Sequence, residues 1–230
     1  MTKNRLEAFS DGVFAIVITL LILDVRFPAD KPLTLETLWG MAPQVLAFVL
    51  SFVIVGVYWV SHHNMLHFIR KVDRQLLWLN LTLLLLIVFV PFPATLLGQH
   101  SDNQLAVMLY GLNLMLVNAA GTAMWLYATA RPHLTVDGMT PYLSRFVAKL
   151  HSAPILLYCA AIALAYWYVP LGLILFAAVP AFFILPNPLI DRRLRAAVEA
   201  TSRVVTSGGP LSVQQDQHAR SGDKSKAKVR

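Results

Sequence analysis

The sequence predicts an all-α membrane protein with six transmembrane helices per subunit, and three observations support this fold class. Of the 230 residues, 57% are hydrophobic and only 13% are charged, whereas soluble domains average about 25% charged residues. The mean hydropathy is +0.61. The apolar residues also form runs of roughly 20, the length that a helix needs to cross about 30 Å of hydrocarbon. A soluble globular protein is therefore excluded.

The apolar runs follow one another with short connections. The first is predicted to be a retained span and not a signal peptide, because several similar runs follow it and it lacks a small-residue cleavage site. Pro91 and Pro93 predict a kink or an end in the third span. An aromatic corner ending in Pro170 predicts a tight turn between the last two spans, since aromatic rings suit the membrane interface. The six predicted spans are residues 9–27, 41–61, 76–97, 105–130, 147–168 and 170–189.

Lysine and arginine residues predict the orientation of these spans. They gather at the N-terminus, in the second and fourth loops and after the sixth span, and they are absent from the third and fifth loops. The first loop is mixed, but the others outweigh it. Because cytoplasmic loops carry the excess of positive residues, both termini are predicted to be cytoplasmic. The net charge of +7 follows largely from this asymmetry, so we expect no nucleic-acid partner.

Two regions are predicted, a membrane domain over residues 1–195 and a basic cytoplasmic tail over residues 196–230. From about Ala200 the chain is rich in Ser, Gly, Gln, Lys and Asp and cannot bury enough apolar area to fold. A solvated tail is favoured over one that touches anionic lipid. The single cysteine, Cys159, excludes an intrachain disulfide.

The first span opens with the run Arg5-Leu-Glu-Ala-Phe9-Ser10-Asp11. An aspartate costs about 2.5–3.5 kcal/mol at the centre of a membrane helix, and less near its end, so Asp11 needs a functional or structural reason. At 100° per residue, Asp11 lies about 200° from Phe9. An apolar stripe lies instead within about 40° of Phe9, with a threonine on its flank. The stripe residues are Ile16, Leu20 and Leu23, and the flanking residue is Thr19.

Because Asp11 points away from the stripe, we expect its carboxylate to fix the first helix to a neighbouring helix. Trp59 and His63 are the favoured partners, since they share one face at the end of the second span at i,i+4 spacing. His62, Asn64 and Arg5 are close alternatives.

His63 and His67 also have the helical spacing of metal ligands. The chain has only 7 histidines, however, and four of them are scattered, namely His100, His133, His151 and His218. Interfacial histidines that hydrogen-bond to Asp11, Ser10 or water are therefore favoured, and neither a metal nor a cofactor is predicted. Zincin helices, paired catalytic carboxylates, nucleophile elbows and phosphate loops are missing from the sequence, so it predicts no enzyme.

The Arg5-x-x-x-Phe9-Ser10-Asp11 motif, with Trp59 and His63 at the end of the second span, resembles the bacterial branch of the transmembrane protein 175 family of lysosomal potassium channels. The resemblance is specific at these two segments and agrees in length and topology over about residues 1–195. It implies a potassium-selective or potassium-preferring cation channel, a homotetramer in the bacterial inner membrane. The motif occurs once in this chain, which fits the form with one repeat.

The resemblance also implies roles for individual residues. The first helix of each subunit would surround a central pore, with Ile16 as the apolar constriction, Leu20 and Leu23 as further layers, and the hydroxyl of Thr19 near the constriction. A structural network would hold this helix to the second. The resemblance assigns to that network Arg5, Phe9, Ser10, Asp11, Trp59 and His63. Packing of Phe9 beside the network is favoured over a place in the pore lining.

Two other classes remain alternatives to a channel. A secondary transporter usually has internal repeats with broken helices around a midplane site, and a non-conducting scaffold needs no pore. The polar residues deep in the spans include Asn80, Asn113 and Asn118, which are more typical of contacts between helices than of proton coupling. The Thr-Val-Gly-Tyr-Gly filter of ordinary potassium channels is missing from the sequence, so selectivity would need another origin.

Overall fold

The computed structural model describes residues 2–136 and 139–184, and these are helical apart from one isolated β-bridge and the connecting loops. A short 3₁₀ helix, Leu21–Asp24, extends the first α-helix. The α-helices are α1 (Lys3–Leu20), α2 (Leu35–Gly40), α3 (Ala42–His67), α4 (Arg74–Val88), α5 (Pro91–Gln99), α6 (Gln104–Thr129), α7 (Pro141–Trp167) and α8 (Val169–Ile184).

Five helical segments of the described chain are long and apolar enough to cross a membrane, which confirms the class of helical membrane protein. They are Lys3–Asp24, Ala42–His67, Arg74–Gln99, Gln104–Thr129 and Pro141–Trp167. The predicted sixth span overlaps α8, of which 16 residues, Val169–Ile184, are described. Residues 185–189 of that span and the whole predicted tail, 196–230, lie outside the described residues.

The helices extend beyond the predicted spans at several ends. α1 begins at Lys3 instead of residue 9, α3 continues to His67 instead of ending at 61, and α7 begins at Pro141 instead of 147. A hydropathy window detects apolar residues, whereas polar residues also continue a helix beyond the hydrocarbon. The start of α7 illustrates this, because the Thr140 hydroxyl accepts a hydrogen bond from the Leu143 backbone N–H at 3.2 Å and caps the helix.

The helix breaks predicted from proline are confirmed. The third predicted span consists of α4 and α5, and Pro91 opens α5, where its missing N–H is tolerated. At the aromatic corner, α7 ends at Trp167 and α8 starts at Val169. A Cβ on Gly172 would lie 2.7 Å from the Cβ of Ala165, so the small residue allows α7 and α8 to pack closely.

Polar side chains join the helices inside the bundle. The hydroxyls of Ser51 on α3 and Tyr110 on α6 are 3.0 Å apart. Asn118 Nδ2 on α6 donates to the Tyr58 hydroxyl on α3 at 2.7 Å. These bonds agree with the expectation that asparagines deep in the spans stabilise contacts between helices.

The loops after α3 and α6 meet at one end of the bundle. Ile69 and Thr135 form an antiparallel β-bridge, and the Arg70 backbone N–H donates to the Leu134 carbonyl at 2.7 Å. The two loops predicted to be cytoplasmic from their positive residues therefore lie on the same side of the subunit.

Asp73 connects this loop pair to two helices. Its carboxylate accepts a hydrogen bond from the Leu76 backbone N–H at 2.8 Å, which caps α4, and one from the Tyr127 hydroxyl at 2.7 Å. Desolvation raises the pKa of Asp73, but these two hydrogen bonds and the electrostatic effects of Arg131 and His133 together hold its pKa below the ordinary value.

Candidate functional site on the first helix

The first helix has one buried face and one exposed apolar face. Its buried side packs against α3 and α4 through Leu6, Ser10, Phe14 and Val17. The side chains of the stripe are open in the single subunit. Their exposed fractions are 60% for Ile16, 42% for Leu20 and 58% for Leu23.

Thr19 lies on the exposed side of the same helix. Its hydroxyl donates to the Ile16 carbonyl at 2.8 Å, one turn back along α1. The hydroxyl proton is therefore engaged, and the oxygen remains as an acceptor toward the exposed face. An oxygen in this state can coordinate a cation.

The 3₁₀ segment changes the alignment of the upper stripe. Residues three apart eclipse each other in a 3₁₀ helix, which has 3.0 residues per turn. Leu23 lies in the segment Leu21–Asp24 and follows Leu20 by three residues. The side chains of Leu20 and Leu23 therefore lie more nearly above one another along the helix axis than they would in a uniform α-helix.

Asp11 is half-buried and bonds to a neighbouring helix. Trp59 Nε1 on α3 donates to Asp11 Oδ1 at 2.9 Å, which is one of the expected contacts. His63 does not bond to Asp11 and instead stacks on Trp59, with ring centroids 5.8 Å apart. The expectation of a direct Asp11–His63 contact is therefore wrong in the subunit, because the His63 ring turns toward His67.

Ser10 belongs to a second, fully buried network, and we call Ser10, Asn80 and His62 the buried network. Asn80 Nδ2 on α4 donates to Ser10 Oγ at 3.1 Å, and Asn80 Oδ1 lies 2.8 Å from His62 Nε2 on α3. Because Asn80 Oδ1 can only accept, His62 Nε2 carries the proton in this arrangement. The buried network joins three helices at one point.

Arg5 and Phe9 were also predicted for the structural network, but neither side chain forms a hydrogen bond with Ser10, Asp11 or Trp59. Arg5 is exposed, and within residues 2–136 and 139–184 the ion pair at this end of α1 joins Lys3 to Glu7 at 3.5 Å. Phe9 is half-exposed and lies on the side of the stripe. The structure thus connects α1 to its neighbours through Ser10 and Asp11.

Sequence comparisons identify the family. A profile described as "Endosomal/lysosomal potassium channel TMEM175" matches residues 5–91. A potassium channel of Streptomyces collinus is 40% identical over 138 residues, which cover 57% of this chain and 67% of that protein. The chain belongs to the TMEM175 family. The profile covers α1, α3 and α4, so both groups of contacts to α1 lie in the matched segment of this TMEM175 chain.

The fold agrees with the family. The crystal structure of a lysosomal potassium-selective channel TMEM175 homologue from Chamaesiphon minutus matches with a TM-score of 0.71 and 30% identity, covering 79% of this chain and 95% of that one. The human relative, named an endosomal/lysosomal proton channel, is 40% identical over 90 residues, which cover 35% of this chain and 18% of that protein. The family and these relatives are named as channels, which fits the prediction that the chain is not an enzyme.

Proposed function

We propose that this TMEM175 protein is a potassium-selective or potassium-preferring cation channel of the bacterial inner membrane, built from four copies of the chain. The α1 helix of each copy lines a central pore. The names of the Streptomyces and Chamaesiphon relatives support potassium as the permeant ion.

The observation that carries this proposal is the division of α1 into two faces. Ser10 and Asp11 bond to α3 and α4 on one side, and the stripe of Ile16, Leu20 and Leu23 is exposed on the other. An exposed stripe alone also suits lipid. The Thr19 oxygen, left as an acceptor on the same exposed side, suits a pore that carries cations.

The chemistry of the proposed pore follows from these residues. Four Ile16 side chains form an apolar ring, and such rings control conduction by excluding water when they are narrow. The Thr19 oxygens supply cation ligands beside the ring. Asp11 is not an ion-binding mouth in this proposal, because its carboxylate is engaged by Trp59.

The proposed topology has six spans over residues 1–195, with both termini in the cytoplasm. The positive residues of the loops after α3 and α6, which meet at one end of the subunit, support this orientation.

Potassium flux from liposomes that contain the purified protein tests this proposal. Ile16→Asn introduces a polar ring at the constriction, so we expect faster flux or weaker discrimination between potassium and sodium. Ile22→Asn is the matched control, because Ile22 is exposed on the same segment but lies about 80–100° from Ile16 when the 3₁₀ turn is included. Equal effects of the two substitutions in well-assembled protein would remove Ile16 from the constriction.

The same liposomes separate the other functions. The name of the human relative makes protons a second candidate ion, and a proton flux that exceeds potassium flux under a matched gradient would favour it. Saturable or coupled flux would indicate a secondary transporter, and absence of flux would indicate a scaffold.

A further inference from the structure

His63 and His67 lie one turn apart near the end of α3, and both side chains are exposed. Their Nε2 atoms are 3.0 Å apart. The ring centroids are farther apart, at 4.6 Å, and the rings are nearly perpendicular at 88°. The two Nε2 edges therefore converge on the space between the rings.

Two kinds of contact can bring the Nε2 atoms this close together. The first is a hydrogen bond, in which one protonated Nε2 donates to the other, unprotonated Nε2. The second is a shared metal ion, which binds the lone pairs of two unprotonated Nε2 atoms. Two metal–nitrogen bonds of about 2.0–2.1 Å place their nitrogens about 2.9 Å apart at the right angle that Cu²⁺ and Ni²⁺ favour, and about 3.3 Å apart at the tetrahedral angle of zinc. An ion could therefore replace the shared proton with little movement of either ring.

We propose that His63 and His67 bind a divalent transition-metal ion such as Zn²⁺, Ni²⁺ or Cu²⁺ through their Nε2 atoms. Imidazole suits these ions, whereas Mg²⁺ and Ca²⁺ prefer oxygen. Within the described residues, no group of three or more His, Cys, Asp or Glu side chains is arranged to hold a metal. Water completes the coordination, and the ion exchanges readily.

This proposal revises the sequence-based preference for histidines without a metal. Helical spacing puts His63 and His67 on one face but does not say which ring nitrogens meet. The structure supplies that information, because Nε2 faces Nε2.

The site is connected to the first helix. The His63 ring stacks on Trp59, and Trp59 donates to Asp11 on α1. A bound ion would restrict the His63 ring beside this contact. We therefore expect metal binding to change ion flux, a step that rests on the proposed channel function.

Calorimetric titration with NiCl₂ tests the binding itself, using the full chain in detergent without a polyhistidine tag. We expect saturable binding of about one Ni²⁺ per chain, the stoichiometry of a single site, and none of Mg²⁺ at the same concentration. His67→Gln should abolish the binding. His100→Gln is the matched control, because His100 is exposed at the end of α5, and it should bind as the unsubstituted chain does.

Saturable binding that survives His67→Gln, or that is lost in His100→Gln, would overturn the proposed site, as would absence of binding in the unsubstituted chain. Thermal unfolding of each variant shows that it is folded. These results do not depend on ion conduction.

Potassium flux tests the connection to α1. For each variant, the flux with Ni²⁺ on both sides of the vesicle membrane is compared with the flux of the same variant in the presence of a metal chelator. We expect a change of flux in the unsubstituted chain and none in His67→Gln. Binding without a change of flux would overturn the connection and keep the site, whereas absence of flux in chelator would overturn the proposed channel.

Discussion

Replacing Asn80 with leucine should destabilise the subunit through the buried network. The substitution removes both the donor to Ser10 Oγ and the acceptor beside His62 Nε2. Ser10 and Asn80 have exposed fractions of 0%, so water from outside does not replace the lost partners. Leucine keeps the branched shape of asparagine and is larger, so the substitution leaves no cavity, and any strain from overpacking adds to the polar loss.

The size of the effect follows from the two bonds. A buried polar group left without a partner costs about 1–3 kcal/mol in a soluble protein. Hydrogen bonds between membrane helices average about 0.6 kcal/mol and reach about 1.7, because the unfolded helices also find partners. Two such bonds give about 1–3 kcal/mol, which shifts the folding equilibrium by roughly 5- to 150-fold.

Unfolding of the detergent-solubilised protein by titration with SDS measures this difference. Thr82→Val is the matched control on the same helix, because the exposed Thr82 hydroxyl bonds only to the Trp78 carbonyl of its own helix at 3.0 Å. Asn80→Leu should also cost less in a Ser10→Ala background, since the two residues share a bond. Equal stability of Asn80→Leu and Thr82→Val, or strictly additive effects with Ser10→Ala, would refute the reasoning.

Two further predictions concern single contacts. Trp59→Phe removes the donor to Asp11 and should lower the unfolding temperature and the fraction of the proposed tetramer measured by light scattering, whereas Trp39→Phe, at an exposed position of α2, should change neither. Acid should weaken the Asp73 cap, because the pKa of Asp73 is lower in the folded protein than in the unfolded chain, where it is about 3.9. The ionised carboxylate therefore stabilises the fold above the unfolded-state pKa. This stabilisation is lost as the pH falls through the folded-state pKa. Between about pH 6 and pH 3 the unfolding temperature should therefore fall more steeply in the unsubstituted chain than in Asp73→Asn, and parallel profiles would contradict this cause.

The two faces of α1 could be predicted from the sequence because they depend only on local helix geometry. At 100° per residue the positions of Asp11 and Ile16 follow from their numbers alone. Trp59 could be proposed as a partner, since it lies at the same end of the next span. Proline likewise predicted the break before α5 and the turn before α8.

The buried network could not be predicted, because it depends on how distant helices pack. Ser10 and Asn80 are 70 residues apart in the chain, and hydropathy identifies Asn80 only as a polar residue in an apolar run. The signal that was available is the level in the membrane, since Ser10, His62 and Asn80 are all polar and all lie toward the predicted cytoplasmic side of their spans. The direction of the His63 ring depended in the same way on rotamers that spacing does not determine.

The most direct test of the central claim, that α1 lines the permeation path, is block of potassium flux through a cysteine at Ile16. The exposed native thiol, Cys159, is first replaced by serine, and Ile16→Cys or Ile22→Cys is added. We predict that Ag⁺ or a small water-soluble thiol reagent blocks flux through Ile16→Cys and spares Ile22→Cys. Labelling of both cysteines without block at Ile16, or equal block at both positions, would contradict the claim.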